Sequence, residues 1–159
     1  MLNVQIICLG KLKEKYWQEA EKEYLKRLQA FAKVQIFELR EESFDDKISV
    51  QLVKEKEAQK IKDALGKIKS DFLVVLDEHG KQFSSIDFSK KLSDLALSGS
   101  NSFTFVIGGP LGLDESILKM ANLKLSFSSF TFTHQMMRVF LLEQVYRAMM
   151  IAGNRQYHY

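Results

Sequence analysis

Five short apolar runs, separated by longer amphipathic stretches, constrain this chain more than any other feature. "NVQIICLG", "AKVQIFEL", "DFLVVLD", "NSFTFVIGG" and "NLKLSFS" follow one another along the sequence. The third and fourth are apolar almost throughout, as in strands covered on both faces, whereas the second and fifth alternate with period two. Between them the period lengthens to that of a helix. Trp17, Ala20, Tyr24, Leu28 and Phe31 mark one stripe over Glu14 to Ala30, and Ile48, Leu52, Ala58, Ile61, Leu65 and Ile68 mark a second. Ser84 with Asp87 three residues later resembles a capping box, and Asp114 suits the N-cap of a short helix through Met120. A last helix starts near Gln135 and runs to about Ala152, where Gly153 and Asn154 supply a stop.

Alternating β and α elements of this length predict an α/β fold, a mostly parallel sheet sandwiched by helices. The 159 residues suit a single domain spanning 1–159. In such sheets ligands bind outside the carboxyl ends of the strands. Three stretches are expected at that edge: "LDEHGK" after the third strand, "GGPLG" after the fourth, and "SFSSFTFTHQ" after the fifth. Three loops converging from strand ends predict a pocket.

The last helix carries apolar residues around most of its circumference, among them Met136, Val139, Phe140, Leu142, Tyr146 and Met149. Such a helix must be buried on more than one side. One face can pack on the sheet, and a homodimer through this helix is the economical source of the second surface.

Several classes are set aside by composition. Cys8, the sole cysteine, sits in an apolar run and reads as a buried, inert thiol. The three histidines, His79, His134 and His158, show no metal-ligand spacing, so no metal is expected. No apolar stretch approaches the ~20 residues that cross a bilayer, and no charged leader precedes a long apolar core. The expectation is a cytoplasmic protein without a membrane partner. The net charge of +3 is mild, but Lys11, Lys13, Lys15, Lys22, Lys26 and Arg27 crowd the start, and Arg138, Arg147 and Arg155 mark the end. A solvated helix face and an electrostatic footprint for a nucleic-acid backbone both fit that distribution.

"FVIGGPLGL" invites reading as a phosphate cradle, yet it lacks the spacing of either glycine-rich nucleotide motif, and Pro110 removes one N–H. Close approach of the backbone to a flat, uncharged ligand remains open to it. "SFSSFTFTHQMM" interleaves hydroxyls with aromatics; it suits a strand edge with an N-cap, or a loop whose backbone clasps a heterocycle. No G-x-S-x-G nucleophile elbow is present. The tail "RQYHY" holds groups able to stack on a base and move a proton, or else is simply a loose end.

Taken in order, "GKLKEKYWQEAEKEYLKRL", "LDEHGKQFSS", "FVIGGPLGL", "LSFSSFTFTHQMMRVFLLEQVYRA" and the late "YH" resemble SPOUT-class large-subunit ribosomal RNA methyltransferases of the RlmH type, over essentially the whole chain. The resemblance implies a C-terminal trefoil knot, S-adenosyl-L-methionine as cofactor, a homodimer, and methylation of N3 of a pseudouridine in 23S rRNA, with ribosomal RNA or the ribosome as partner. It implies cofactor contacts at Leu76, Gly108 and the run Phe127, Ser128, Ser129, Phe130, Thr131 and Phe132. Catalytic roles carry over to Tyr157 and His158, and RNA contacts to Arg138 and Arg155. Two departures stand out: Thr133 occupies a position that is usually proline in the family, and Tyr159 follows the Tyr-His pair where a basic residue is usual. A knotted methyltransferase of tRNA and a non-catalytic ribosome-binding protein are the alternatives.

Overall fold

The computed structural model describes residues 1–45 and 47–157. Ten elements alternate: β1 (Leu2–Leu9), α1 (Lys15–Leu28), β2 (Ala32–Leu39), α2 (Val50–Leu65), β3 (Phe72–Gln82), α3 (Ser85–Leu97), β4 (Ser102–Ile107), α4 (Glu115–Met120), β5 (Leu123–Ser126) and α5 (His134–Ala152). The strands form one sheet in the order β2-β1-β4-β3-β5, and every pairing is parallel. β4 is buried along its whole length, which explains why it is apolar apart from Ser102 and Thr104, while β2 at one edge alternates more and less buried positions.

Successive side groups point to opposite faces, so the strands feed two cores. On one face Val4, Ile6, Val74, Leu76, Phe103, Phe105 and Leu125 meet Leu28 of α1, Phe88 and Leu92 of α3, and Leu141, Leu142, Val145 and Ala148 of α5. On the other, Ile7, Leu9, Leu73, Val75 and Val106 meet Ala58 and Ile61 of α2 and Ile117 of α4. Each fully buried Leu, Ile, Val or Phe contributes about 1.5–3 kcal/mol. A polar pair at the sheet centre is internally satisfied, with Thr104 Oγ1 donating to Gln5 Oε1 at 2.9 Å.

Local chemistry sets the helix starts. Ser49 accepts from Leu52 N (3.1 Å), so α2 begins at Val50 rather than at Ile48. Ser84 accepts from Asp87 N (3.0 Å) while its hydroxyl donates to the Asp87 carboxylate (2.7 Å). That is a variant of the reciprocal box, since the carboxylate takes the hydroxyl proton. Asp114 accepts from Ser116 N (2.9 Å), and Thr133 from Met136 N (3.4 Å).

Two expectations change. "LDEHGK" is no loop beyond β3: the strand continues to Gln82, and both Leu76 and Lys81 align with Leu125. Residues 77–80 therefore bulge out of the ladder. Gly80 makes this possible, because a Cβ there would lie 2.7 Å from the carbonyl group of Lys124. The second change concerns α5, which lies on β1 and β4 with α1 on one flank and α3 on the other. These intramolecular neighbours take up much of the apolar circumference, and Met136, Met137, Phe140 and Met149 stay only partly covered.

Candidate active site

The carboxyl ends of β4, β3 and β5 open into one cleft of about 1020 Å³, at the upper end of small-molecule sites. Leu76, Ile107, Leu113, Leu125 and Met137 form apolar walls. The segments 77–79, 108–113 and 126–135 close the sides, and Lys54 reaches in from α2. The three stretches expected at this edge do converge. Leu76, Gly108, Phe127, Ser128, Phe130, Thr131 and Phe132 all line the cleft. Ser129 does not; its hydroxyl accepts from Gln82 Nε2 at 3.4 Å and ties the loop to β3.

The Gly108–Gly112 loop owes its course to a tight turn. Gly112 N–H donates to Gly109 O (3.0 Å), with Pro110 and Leu111 at the turn's centre, a placement that favours proline and a following glycine. A Cβ on Gly108 would lie 2.9 Å from Leu113 Cγ, so glycine lets the turn fold against Leu113. One amide is thus spent inside the turn and one position has none, which leaves a poor phosphate cradle. The facing loop is held by Ser126 Oγ donating to Ser128 O (2.9 Å) and Phe130 N donating to Ser128 Oγ (3.0 Å). Phe132 packs edge-on against Phe140 at 5.5 Å, and Phe130 stands largely exposed.

Around the mouth the electrostatics are uneven. His134 Nε2 faces Glu41 Oε1 at 3.3 Å, and both atoms are buried without a well-aligned hydrogen bond. Burial raises the Glu57 carboxyl, whose Oε1 accepts from Glu42 N at 3.0 Å. Hydrogen bonds from Ser116 lower the Asp114 carboxyl, and Gln51 Nε2 ties it to α2 at 3.2 Å. No run of local sequence announces the Glu41–His134 meeting, because its partners are ninety-three residues apart (134 − 41). Among the described residues, no group of three or more His, Cys, Asp or Glu is arranged to hold a metal.

The arginines and the tail lie elsewhere. Arg138 is buried, with its guanidinium directed to Glu21, to Glu38 at 2.7 Å and to Cys8 Sγ at 3.4 Å. Burial pushes the Cys8 thiol up to about 11, against the lowering effect of Arg138. In this arrangement Arg138 faces protein, not solvent. Arg155 is exposed, its guanidinium 5.0 Å from the Phe31 ring. The Tyr157 ring packs edge-on against Tyr146 at 4.8 Å, under the Arg147 guanidinium, and its hydroxyl donates to Glu143 Oε1 at 3.5 Å. Burial, together with Tyr24 and Glu143, pushes its phenol up to about 12. Tyr157 does not line the cleft; Tyr146, against which it packs, lies nine residues along α5 from Met137, about 13 Å along the axis. His158 lies outside the described residues.

A family model described as "Predicted SPOUT methyltransferase" matches residues 2–158. The chain belongs to the SPOUT methyltransferase family. Two full-length relatives carry the name "Ribosomal RNA large subunit methyltransferase H". One, from Clostridium acetobutylicum, is 48% identical over 161 residues, and one from Desulforamulus reducens is 47% identical over 161; each alignment spans 99% of both proteins. Among solved structures, a probable methylase family protein from Haemophilus influenzae superposes with a TM-score of 0.59 at 10% identity, covering 98% of this chain and 70% of that one. That likeness concerns the fold.

Proposed function

We propose that this protein is an S-adenosyl-L-methionine-dependent methyltransferase that modifies N3 of a pseudouridine in 23S ribosomal RNA. It would do so as a cytoplasmic homodimer whose single domain, 1–159, is threaded into a C-terminal trefoil knot. The observation that carries the reading is the convergence of Leu76, Gly108 and the 127–132 loop on one cleft, in a sequence 48% identical over its full length to a protein named for that RNA.

The cleft's chemistry fits the cofactor. Its walls are apolar enough for an adenine ring. Apart from the turn bond at Gly109–Gly112, and among the described residues, the backbone groups of 108–113 are not hydrogen-bonded to other backbone. Asp77 and Glu78 place carboxylates at the same rim to balance a sulfonium charge. When bound, the cofactor supplies an electrophilic methyl group. Leu76, Gly108 and Phe127–Phe132 would hold and orient it, and Phe130 and Phe132 would exclude water.

A phenol pushed up to about 12 stays protonated at neutral pH, so Tyr157 acts as a hydrogen-bond donor and orienting group, not as the base. His158, an imidazole whose ordinary range lies near neutrality, is the residue suited to take the N3 proton. Since Tyr157 sits away from its own cleft, the tail of a second copy would complete the site. Arg155 would meet an RNA phosphate, and Arg138 would serve by fixing α5 to α1 and β2.

Calorimetry and nucleoside mapping test the reading. The expected outcomes are that folded protein binds S-adenosylmethionine and that, in a deletion strain, methylated pseudouridine disappears from rRNA while no modification disappears from tRNA. The His158→Ala variant keeps cofactor affinity and loses methylation by about 10²-fold or more, the usual scale for a general base. A folded dimer with no detectable cofactor binding would sink the assignment.

A further inference from the structure

One sequence feature is unused by the cleft: the basic, aromatic strip between β1 and the first turn of α1. Resting on the RNA-methyltransferase reading, we propose that residues 11–17 form a single-stranded RNA lip at the cleft mouth. In it Lys11, Lys13 and Lys15 meet backbone phosphates, and the Tyr16 ring stacks an unpaired base flanking the target nucleotide.

The lip is held beside the cleft. Lys13 N–H donates to the amide oxygen of Gln135, a cleft-lining residue, at 2.9 Å. On the inner side Leu12 is buried, and Gln18 Nε2 donates to Leu12 O at 2.9 Å. The backbone is thus pinned at two adjacent positions, with Lys11 and Lys15 on either side. Lys11, Lys13 and Lys15 are all exposed, and among the described residues none of them joins an ion pair, unlike Lys60 or Lys119. Glu14 is the only acid in the strip.

Tyr16 is 61% exposed, an unusual position for a large ring in a helix whose core contacts fall elsewhere. Trp17 backs it edge-on, with ring centroids 5.2 Å apart at 61°, which fixes the tyrosine face without covering it. Lysines interleaved with a presented aromatic face match single-stranded RNA, whose bases are free to stack. A duplex offers phosphates to the lysines but no free base to the ring.

Trp17 is the only tryptophan, so its fluorescence reports on the lip directly. Titrating a short single-stranded RNA of mixed sequence should quench it, and the same strand in a duplex should bind more weakly. Combined Lys11→Ala, Lys13→Ala and Lys15→Ala substitution should lower the slope of log affinity against log salt by about 2, at roughly 0.7 per phosphate on a single strand. Tyr16→Ala should weaken single-strand binding about tenfold and leave duplex binding unchanged, with Tyr16→Phe close to the parent. Variants that keep the parent affinity and salt slope overturn the lip, as does an equal loss on duplex from Tyr16→Ala. Calorimetric binding of S-adenosylmethionine by each variant serves as the folding control. The enzyme reading is judged separately by methylation of ribosomes with unaltered protein. RNA binding through the lip without methyl transfer would retire that reading alone, and methylation that survives an ineffective lip would retire the lip alone.

Discussion

Arg138 shows what a single residue does when its charge has nowhere to go. Its side chain is 5% exposed and holds Glu21 of α1 and Glu38 of β2, so one group joins three elements. Removing one partner of such a buried cluster leaves the others desolvated and unpaired, a loss of about 3–5 kcal/mol. Arg138→Ala should therefore lower unfolding stability in urea by about 3 kcal/mol, with Cys8 becoming reactive to a thiol reagent at lower denaturant. An unchanged midpoint would show the cluster to be a solvated ornament. Sequence alone could place Arg138 on a helix but not among carboxylates lying 117 and 100 residues away.

Tyr157 gives the pH-dependent case. Its folded phenol, pushed up to about 12, lies above the ordinary value of 10, so the folded state favours the neutral form. The stability from docking the tail is fully present below pH 10 and is lost as pH rises toward 12. The absorbance difference at about 295 nm between parent and Tyr157→Phe should titrate near 12 in folded protein and near 10 in urea. A folded-state midpoint near the ordinary value would mean that the ring is not held against Tyr146 and Glu143.

At the scale of elements, the strands and helices were legible because each carries its own period and cap. Ser49, Ser84, Asp114 and Thr133 each accept an amide two or three residues on, all within one turn. Thr133 is instructive: at a position expected to be proline by resemblance, a hydroxyl caps α5. The β3 bulge was not legible, because nothing in "LDEHGKQ" reveals that β5 will realign with it after four unpaired residues. Gly80 is the residue on which that realignment turns. A methyl group there meets backbone, which cannot swing aside, so Gly80→Ala should cost about 1–3 kcal/mol and weaken cofactor affinity by shifting the 77–79 rim. Gly108→Ala meets chiefly the Leu113 side group and should be milder in thermal melting, though it narrows the same cleft. Equal melting temperatures for the two variants would contradict this ordering.

The whole molecule poses the question of what covers α5. Its sequence pattern demands more than one buried side, and the sheet, α1 and α3 already bury Val139, Leu141, Leu142, Val145 and Ala148. What stays half-covered is a narrower set, Met136, Met137, Phe140 and Met149, with Phe132 exposed beside Phe140. Within it Met136 and Phe140, one turn apart, and Phe132 against Phe140 share one side of the helix near the cleft, and a partly covered apolar group of this kind suits an association surface. A two-fold partner seated there would carry its own tail toward the neighbouring cleft, which Tyr157 of the same protomer does not line. Met136 is suited to test this, because it belongs to the patch but not to the cleft wall. Met136→Glu should turn a dimer into a monomer in analytical ultracentrifugation while the sheet still folds. The monomer should keep measurable affinity for S-adenosylmethionine, whose proposed contacts all come from one protomer, and lose methylation by about 10²-fold or more, the low end for an absent proton-transfer group. Mixing it with a variant that is intact at the patch but carries His158→Ala should restore activity only to the extent that mixed dimers form. A wild-type monomer that methylates ribosomes at full rate would place both tail and cleft in one protomer and remove the reason for the exposed face of α5.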